Sequence, residues 1–387
     1  MEKQKICIIG GSLTGLVTAL SLSKLNCDID LIMGSNSPDP KSNQTIAISE
    51  DNLAFLKKLG VFTSIKKQLW PCSIMKLYKE IKDDEDSEIF EINNLKKKKK
   101  ILYMLINAKI KKLMFKKIKK IKNISVKSNV KVSKINGTGL LKTVKINKQN
   151  SKYNLIIICT GNRSDLVKNF FNDQLIENSY NEKSITVTLK HKFIKNNTVR
   201  QFFFNNEIFA LLPISNNKTS IVWSVKKNLY LNNNKMIKNK IKFYLKNFLQ
   251  EIKFVSPIEY RDLSLLIRKK YYKDRILLFG DALHVVHPFV GQGFNMTLRD
   301  LSCLEKLLVN KMNLGLDIGS SDILSEFTNK TKPRNFIYSL GIDLIKNSFS
   351  LKNQPVKILR NDIFKLLNKN NLVKDFFYNI ADKGFKF

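Results

Sequence analysis

The chain has 387 residues, of which 43% are hydrophobic, enough for two or three globular domains. Its 68 basic and 32 acidic residues give a net charge of +36. One explanation is codon bias, because Lys, Asn and Ile are abundant together; the other is attraction to an anionic membrane or nucleic acid. No RNP, helix-turn-helix or zinc-knuckle pattern accompanies the charge, so the sequence argues against nucleic-acid binding.

Cysteine usage and the apolar runs bear on location. Five scattered cysteines without a C-x-x-C pair favour a reducing compartment and argue against a disulfide framework or a zinc site. The first apolar run, Ile6–Ile9, is too short for a signal peptide, and no run approaches the ~18 residues that span a bilayer. With three histidines, no metal site is predicted. We expect a cytoplasmic protein, with peripheral attachment to the inner face of the membrane as the alternative.

A glycine-rich turn stands at the beginning of the chain. Lys5–Ile9 is a buried-strand pattern, and Asp28–Met33 is a second one after an intervening helix. The turn between the first strand and the helix is Gly10-Gly11-Ser12-Leu13-Thr14-Gly15. Such a βαβ unit places a pyrophosphate at the N-terminus of its helix. Met33 stands where an acidic residue would bind a ribose.

The middle of the chain contains a basic helix and a series of strands. Lys96–Lys100 is followed by the most basic segment of the chain, Leu105–Ile121, which has apolar residues at helical spacing. Two interpretations stay open: a helix packed on the core with a solvated lysine face, or contact with an anionic membrane. Alternating stretches then predict a second, sheet-based domain. These stretches are Ile185–Phe193, Val199–Phe204, Ile208–Ile214 and Thr219–Val225. Phe202–Phe204 and Phe209 either wall an aromatic substrate or form plain core.

The longest motif follows an apolar strand, Arg275–Phe279. It runs from Gly280 to Asn295 and reads G-D-A-L-H-V-V-H-P-F-V-G-Q-G-F-N. Gly280 turns the backbone sharply, and Asp281 presents a carboxylate to a ligand hydroxyl. The motif's proline and last two glycines leave space for a flat ligand against bare main chain. The free N–H groups of the next helix, which begins near Gln292, favour electron-rich or anionic atoms.

This motif resembles the second FAD fingerprint of class A FAD-dependent aromatic monooxygenases. Its His-x-x-His-Pro spelling is similar to that of the ubiquinone-biosynthesis hydroxylases, as are Ala210–Ile214 and Ile221–Ser224. The resemblance implies an α/β fold, with a Rossmann-like FAD-binding domain, an inserted mixed β-sheet substrate domain and a C-terminal helical tail. The expected limits are 1–72, 101–170 and 265–330 for the FAD domain, 73–100 and 171–264 for the substrate domain, and 331–387 for the tail.

The resemblance implies FAD as the cofactor, and NAD(P)H as a candidate reductant. Lys111 stands where an arginine of the family meets the flavin cofactor. The predicted cofactor-binding residues are Gly10, Gly11, Ser12, Leu13, Thr14, Gly15, Lys111, Gly280, Asp281, Pro288, Gly291, Gln292, Gly293, Phe294 and Asn295. No catalytic residue is assigned. His284 and His287 are interpreted as stabilising the turn through hydrogen bonds, in preference to acting as general bases.

The function implied by the resemblance is hydroxylation of the aromatic ring of a polyprenyl-phenol intermediate in ubiquinone biosynthesis. The expected partners are that lipophilic phenol, a quinone-biosynthesis complex and an anionic membrane surface bound through Lys96–Lys120. Thr160 replaces an aspartate that serves nicotinamide contacts in the family, which weakens the case for NAD(P)H. The departures at Met33, Gln44, Lys111 and Thr160 keep a second hypothesis open, a catalytically silent FAD-binding scaffold of such a complex.

Overall fold

The computed structural model describes residues 3–36, 42, 44–80, 87–93, 100–137, 139–147, 149–162, 164–171, 175–204, 207–228, 233–288, 291–350, 363, 367 and 371–384. The first strands are β1 (Gln4–Ile9), β2 (Cys27–Ile32), β3 (Thr45–Ser49), β4 (Trp70–Cys72), β5 (Ile74–Tyr78), β6 (Glu88–Asn93), β7 (Leu102–Ile106), β8 (Ile124–Lys127), β9 (Val132–Asn136), β10 (Lys142–Ile146), β11 (Gln149–Tyr153) and β12 (Leu155–Ile158). The later strands are β13 (Leu175–Lys190), β14 (Thr198–Phe204), β15 (Glu207–Ser215), β16 (Lys218–Lys226), β17 (Lys253–Phe254), β18 (Glu259–Arg268), β19 (Tyr272–Lys273), β20 (Ile276–Leu278) and β21 (His284–Val285). The helices are α1 (Leu13–Leu22), α2 (Glu50–Lys58), α3 (Phe62–Ile65), α4 (Asn107–Ile118), α5 (Asp165–Phe171), α6 (Asn234–Leu245), α7 (Gln292–Asn313), α8 (Ser321–Ser350) and α9 (Asn371–Lys383).

A six-stranded sheet in the order β19-β20-β12-β1-β2-β8 carries the glycine-rich turn. All its pairs are parallel except β19 with β20 at the edge. The apolar runs Ile6–Ile9 and Leu155–Ile158 are buried, as expected for parallel strands covered on both faces. Because β1, β12 and β20 are parallel neighbours, their carboxyl ends meet at one edge, where α/β proteins bind nucleotides. The expected Rossmann-like architecture is confirmed.

A nine-stranded sheet follows the order β21-β18-β13-β16-β15-β14-β5-β6, with β17 paired to β13. The pairing of β14 with β5 is parallel and the other pairings are antiparallel, which confirms the expected mixed sheet. One face packs under α6 through Phe202, Phe209 and Trp223, and we call it the outer layer. The other face packs Phe203 toward Ala47 of β3, and we call it the inner layer. Two small sheets, β3-β7-β4 and β11-β10-β9, complete the architecture.

Strand β13 contains a bulge where it pairs with β18. Ser179 lies opposite Ser264, whereas Glu182 lies opposite the next residue, Leu263. Asn181, inside the bulge, has a φ of +52°, which asparagine tolerates better than most residues. Bulges of this kind redirect side chains, and they are frequent beside active sites.

The described part of the basic segment begins at residue 100, since Lys96–Lys99 lie outside the described residues, and it forms β7 and then α4, so the helix starts at Asn107 and not at Leu105. Ile110, Met114 and Ile118 are fully buried in the core of the FAD domain. The lysines at 109, 112 and 116 point outward and are exposed. The apolar face of the helix is therefore occupied by the protein's own core.

The C-terminal helices return to the FAD domain. Helix α8 continues through Pro333, and α9 packs against α2, β3 and β6. Strand β18 crosses the expected boundary at 264/265 and α8 crosses the one at 330/331, so the domain limits stay predictions. None of the described helices is both long and apolar enough to cross a bilayer.

Candidate functional site

The glycine-rich turn leads from β1 into the N-terminus of α1. The hydroxyl of Ser12 caps the helix, accepting from the Gly15 N–H at 3.4 Å and donating to the Cys159 carbonyl at 3.1 Å. A Cβ on Gly15 would lie 1.9 Å from the Gly10 carbonyl oxygen, so this position requires glycine. Ser12, which replaces the usual second glycine, thus has its hydroxyl bonded within the protein.

The two glycine motifs meet directly. Gly280 has a φ of +62°, and a Cβ there would lie 2.6 Å from Cγ2 of Thr14. The side chains of Leu13 and Thr14 are buried, so main-chain groups are what this part of α1 offers to a phosphate. The 3-10 turn Gly280–Ala282 therefore packs on the first turn of α1. This contact places the two motifs side by side, as is needed if both are to bind one nucleotide.

Met33 has a packing role. It is fully buried, and a Cβ on Gly11 would lie 2.8 Å from its Cε. Met33 therefore fills the space beneath the glycine turn and offers no polar group to a ribose. This explains the absence of an acidic side chain there in terms of local packing.

Asp281 stands at the meeting point of the two motifs. It is exposed, and no hydrogen bond to it is found among the described residues. The protein around this recess desolvates the carboxyl and raises its pKa above the usual range, while His284 and Arg261 offset part of that effect. A carboxylate held in this way is suited to accept a hydrogen bond from a ligand hydroxyl.

The N-terminus of α7 forms the second half of the site. Gly291 precedes it with a φ of +65°, and a Cβ there would lie 2.9 Å from the Ala47 Cβ. The buried Asn295 accepts from the Ser49 N–H and donates to the Ala47 carbonyl, both at 3.0 Å. Its side chain therefore fixes α7 to β3 and leaves only its main chain for a cofactor. Among the described residues, which do not include 289 and 290, a single atom lies within 4 Å of a Cβ on Gly293, at 3.9 Å, so these residues leave the space beside it open.

The remaining predicted residues flank this helix or lie on α4. Pro288 and Phe294 are half-buried, and Gln292 is buried. Oε1 of Gln292 has no hydrogen-bond partner among the described residues. Lys111 is half-buried on α4, one turn after Asn107, whose N–H donates to the Gln44 carbonyl at 2.8 Å. The side chain of Lys111 interacts within the protein.

The two histidines of the motif have different environments. Nε2 of His284 lies 2.9 Å from the Asp300 carboxylate, which also accepts from Asn335 at 2.8 Å. This agrees with the hydrogen-bonding role predicted for His284. Neither ring nitrogen of His287 has a hydrogen-bond partner in the described part of the chain, although the ring is 1% exposed. For His287 the predicted hydrogen bonds are therefore not found.

A buried ion pair lies beside His287, and sequence reasoning missed it. Lys346 Nζ of α8 is 2.9 Å from Glu182 Oε1, and the other oxygen of Glu182 is 3.7 Å from His287 Nε2. Lys346 Nζ also lies 3.5 Å from the ring centroid of Tyr180. The β13 bulge brings Tyr180 and Glu182 to this position. Because the three segments are far apart in sequence, no local pattern signals the cluster.

Electrostatics keep the imidazole and the carboxyl of this cluster deprotonated. Burial lowers the pKa of His287, and the nearby carboxylate of Glu182 opposes that shift. Burial alone would raise the pKa of Glu182, but its contacts with His287 and Lys346 outweigh burial and the pKa lies below its usual range. The segment preceding α7 is thus held by a neutral imidazole next to a paired carboxylate.

The residues present fit FAD in three places. Main-chain N–H groups at α1 suit a pyrophosphate, Asp281 suits a sugar or ribityl hydroxyl, and the open side of Gly293 suits a flat ring. The adenosine end lacks its usual acidic group because Met33 is buried there.

The model of the FAD binding domain family matches residues 3–334, and the chain belongs to that family. The expectation of FAD as cofactor is confirmed at this level. Among individual relatives, the ubiquinone hydroxylase UbiL of Rhodospirillum rubrum is 32% identical over 157 residues, which is 39% of this chain and 36% of the relative. The 3-demethoxyubiquinol 3-hydroxylase of Escherichia coli is 31% identical over 156 residues, which is 39% of this chain and 40% of the relative. The matches thus span well under half the length of these relatives.

Solved structures agree with the fold. The p-nitrophenol 4-monooxygenase PnpA of Pseudomonas putida superposes with a TM-score of 0.81 at 14% identity, covering 100% of both chains. HpxO of Klebsiella pneumoniae, complexed with FAD and uric acid, superposes with a TM-score of 0.78 at 13% identity, covering 98% of this chain and 97% of that one. At these identities the likeness establishes the fold alone.

Proposed function

We propose that this protein is an FAD-dependent monooxygenase that hydroxylates the aromatic ring of a polyprenyl-phenol intermediate in ubiquinone biosynthesis. The relatives named as ubiquinone hydroxylases support the substrate class. The observation that carries the proposal is the open space beside Gly293 at the N-terminus of α7. A protein that only anchored FAD by its pyrophosphate would have no need of that space.

Each part of the site has a role in this reaction. FAD, when bound and reduced, supplies the activation of oxygen. Asp281 binds a hydroxyl of the ribityl chain, and the free N–H groups of the first turn of α7 stabilise negative charge at the edge of the ring. The inner layer, with Phe203 and Met296, would hold the phenol ring and exclude water from it. Phe202 and Phe209, which face the outer layer, have a core role instead.

Gly293→Val tests this proposal. A branched side chain fits the space in the protein but projects into the volume reserved for the ring, so the variant folds and loses quinone production. The measurement is complementation of a hydroxylase-deficient strain, with the flavin content and circular dichroism of the purified protein recorded in parallel. Gly341→Val is the matched control, because no atom of the described residues lies within 4 Å of a Cβ at that position.

A catalytically silent scaffold is the second candidate, and the burial of Met33 under the glycine turn favours it, since FAD loses a ribose contact there. Quinone restored by Gly293→Val, or by a flavin-free Asp281→Ala protein, would establish this second function and remove the first.

We infer that the protein lies peripherally on the inner face of the membrane.

We also infer that NAD(P)H is the electron donor. The hydroxyl of Thr160 donates to Ser164 at 2.7 Å, so a polar surface remains at the position where the family has an aspartate. Anaerobic mixing with NADH or NADPH should bleach the flavin absorbance. Flavin that stays oxidised with both would point to a protein electron donor, leaving the hydroxylation itself unaffected.

A further inference from the structure

Four large apolar side chains project from one end of the nine-stranded sheet. They are Phe193 at 72% exposure, Phe243 at 63%, Met236 at 51% and Val255 at 49%. Residues 190–195, helix α6 and residues 246–255 contribute them, and we call this surface the α6 face. Large apolar side chains grouped on a surface indicate contact with a protein or a membrane.

The three segments of the α6 face adjoin one another. The Lys192 N–H donates to the Gln250 carbonyl at 3.0 Å, and β13 pairs with β17 through Leu189 and Phe254. Lys238 of α6 extends its Nζ to 5.5 Å from the centroid of the Phe254 ring. The exposed side chains therefore lie on segments that contact one another.

Helix α6 carries both lysines and exposed apolar side chains. Its inner face, including Ile237 and Ile241, is fully buried against the outer layer. Met236 and Phe243 lie seven residues apart and so share another face of the helix. Lys246 Nζ lies 5.0 Å from the centroid of the Phe243 ring, which places a cation beside the most exposed ring of the helix.

The charge of the α6 face is almost entirely of one sign. Stretches 190–196 and 234–255 contain nine lysines and one acidic residue, Glu251. Lysines beside protruding aromatic side chains are typical of surfaces that lie in the headgroup region of a bilayer. The combination matches an anionic lipid surface better than the face of another folded protein, where lysine is depleted.

Two other surfaces have only half of this combination. The exposed face of α4 has lysines, but among its described residues no large apolar side chain is exposed. Helix α8 exposes Phe336, Ile337, Leu340 and Leu344, but the nearby cations Lys332 and Arg334 are half-buried, Lys346 is buried in an ion pair and Asp343 lies within the same stretch. Neither surface offers anchoring and headgroup attraction together.

The geometry points to the α6 face as the docking surface for an anionic bilayer, with lysines at the headgroups and Phe193 and Phe243 inserted below them. This deepens the proposed membrane location and replaces Lys96–Lys120 as its means. The outer layer then faces the bilayer, and the inner layer with the FAD site lies on the opposite side of the sheet. Docking of this kind does not depend on catalysis, so the two proposals fail separately.

The test is pelleting of the FAD-containing protein with phosphatidylcholine vesicles, with or without about one third phosphatidylglycerol. We expect binding only to the anionic vesicles, falling as salt rises and screens the lysines. A double variant, Phe193→Ser with Phe243→Ser, should lower the partition coefficient about tenfold for each ring removed from the bilayer. The double variant should retain its flavin and turn over a soluble short-chain phenol at an unchanged rate. Both results would show that it is folded.

Matched variants separate the three surfaces. Lys109→Gln with Lys112→Gln and Lys116→Gln on α4 removes charge alone, and Leu340→Ser with Leu344→Ser on α8 removes apolar groups alone. We expect both to retain most of the binding. The proposal is overturned if either control loses binding while the α6 variant keeps it, if neutral vesicles bind equally, or if the protein binds RNA but no vesicles.

Discussion

At the scale of single residues, the cofactor site combines positions required by the backbone with positions reserved for a ligand. Gly15 and Gly280 cannot carry a side chain, because a Cβ would collide with Gly10 or Thr14. Gly293 is different, since among the described residues only Val286 comes within 4 Å of a Cβ there, at 3.9 Å. Glycine thus serves tight packing at Gly15 and Gly280 and access at Gly293.

Asp281 is predicted to have two effects. Its carboxylate binds FAD, and in the flavin-free protein the same carboxylate lowers the stability of the fold. Its pKa is raised in the folded state, so the unfolded state releases the proton more readily and stability is lost as the pH rises through that interval. At neutral pH, Asp281→Asn removes the desolvated charge. We expect a higher melting temperature for the flavin-free variant than for the flavin-free parent, together with loss of most bound FAD. Equal FAD content in the two proteins would mean that the carboxylate does not contact the cofactor.

At the scale of elements, the β13 bulge and α8 together support the segment before α7. Tyr180 and Glu182 come from the bulge, Lys346 comes from α8, and His287 lies between them. A buried pair of this kind contributes little net stability, but removing one partner leaves a buried charge uncompensated. The arrangement therefore fixes the position of the chain at His287 more than it stabilises the fold.

This cluster predicts a loss of stability in acid. The pKa of His287 and that of Glu182 are both lowered in the folded protein, so the unfolded state binds more protons. The free energy of unfolding therefore decreases as the pH decreases. For His287 the loss begins below about pH 6.5, the pKa of an unperturbed histidine. In His287→Leu, the change in urea midpoint between neutral and acid pH should be smaller than in the parent. Parallel pH dependence in both proteins would exclude His287 as a source.

The elements show what a sequence can and cannot predict. The turns at Gly10 and Gly280 are recognisable because backbone geometry limits their residues, and the buried strand Leu155–Ile158 because its run is wholly apolar. The inward direction of the Asn295 side chain is not recognisable, since it depends on β3. The pairing of Lys346 with a carboxylate on β13 depends on tertiary structure in the same way.

The lysine pattern of α4 illustrates the same limit. Its periodicity fits a core helix and a membrane helix equally, and only burial of Ile110 and Met114 in the core distinguishes them. The α6 face was not recognised from the sequence, because the exposure of Phe193 and Phe243 depends on which neighbours cover them.

At the scale of the whole molecule, the C-terminal helix is tied to the FAD domain. The Asp382 carboxylate of α9 accepts from the Asp51 N–H at 2.8 Å, and its carbonyl accepts from the Ser49 hydroxyl at 2.9 Å. The first turn of α2 is thus capped from the other end of the chain, next to the Ser49 N–H that Asn295 binds. Burial raises the pKa of Asp382, and the N–H of Asp51 opposes that shift.

Asp382→Ala should lower the free energy of unfolding by about 1 kcal/mol, the usual cost of losing a cap at a helix N-terminus. The measurement is the urea midpoint of the FAD-containing protein. Asn379→Ala, at an exposed position on the same helix, serves as the control. An unchanged midpoint for Asp382→Ala would show that α9 does not stabilise the FAD domain through this carboxylate.

The central place of β1 in its sheet has a consequence for how the protein is made. This strand is synthesised before its neighbour β12, which is completed only at Ile158, and before β20, which is completed only at Leu278. At ribosomal speeds of about 5–20 residues per second, an apolar strand waits on the order of ten seconds for its partner. The glycine turn of α1 meets Gly280 later still, so both motifs can contact FAD only after Gly280 has emerged. Insertion of FAD is therefore a late event in biogenesis, and the supply of the free cofactor shifts newly made chains toward the native state.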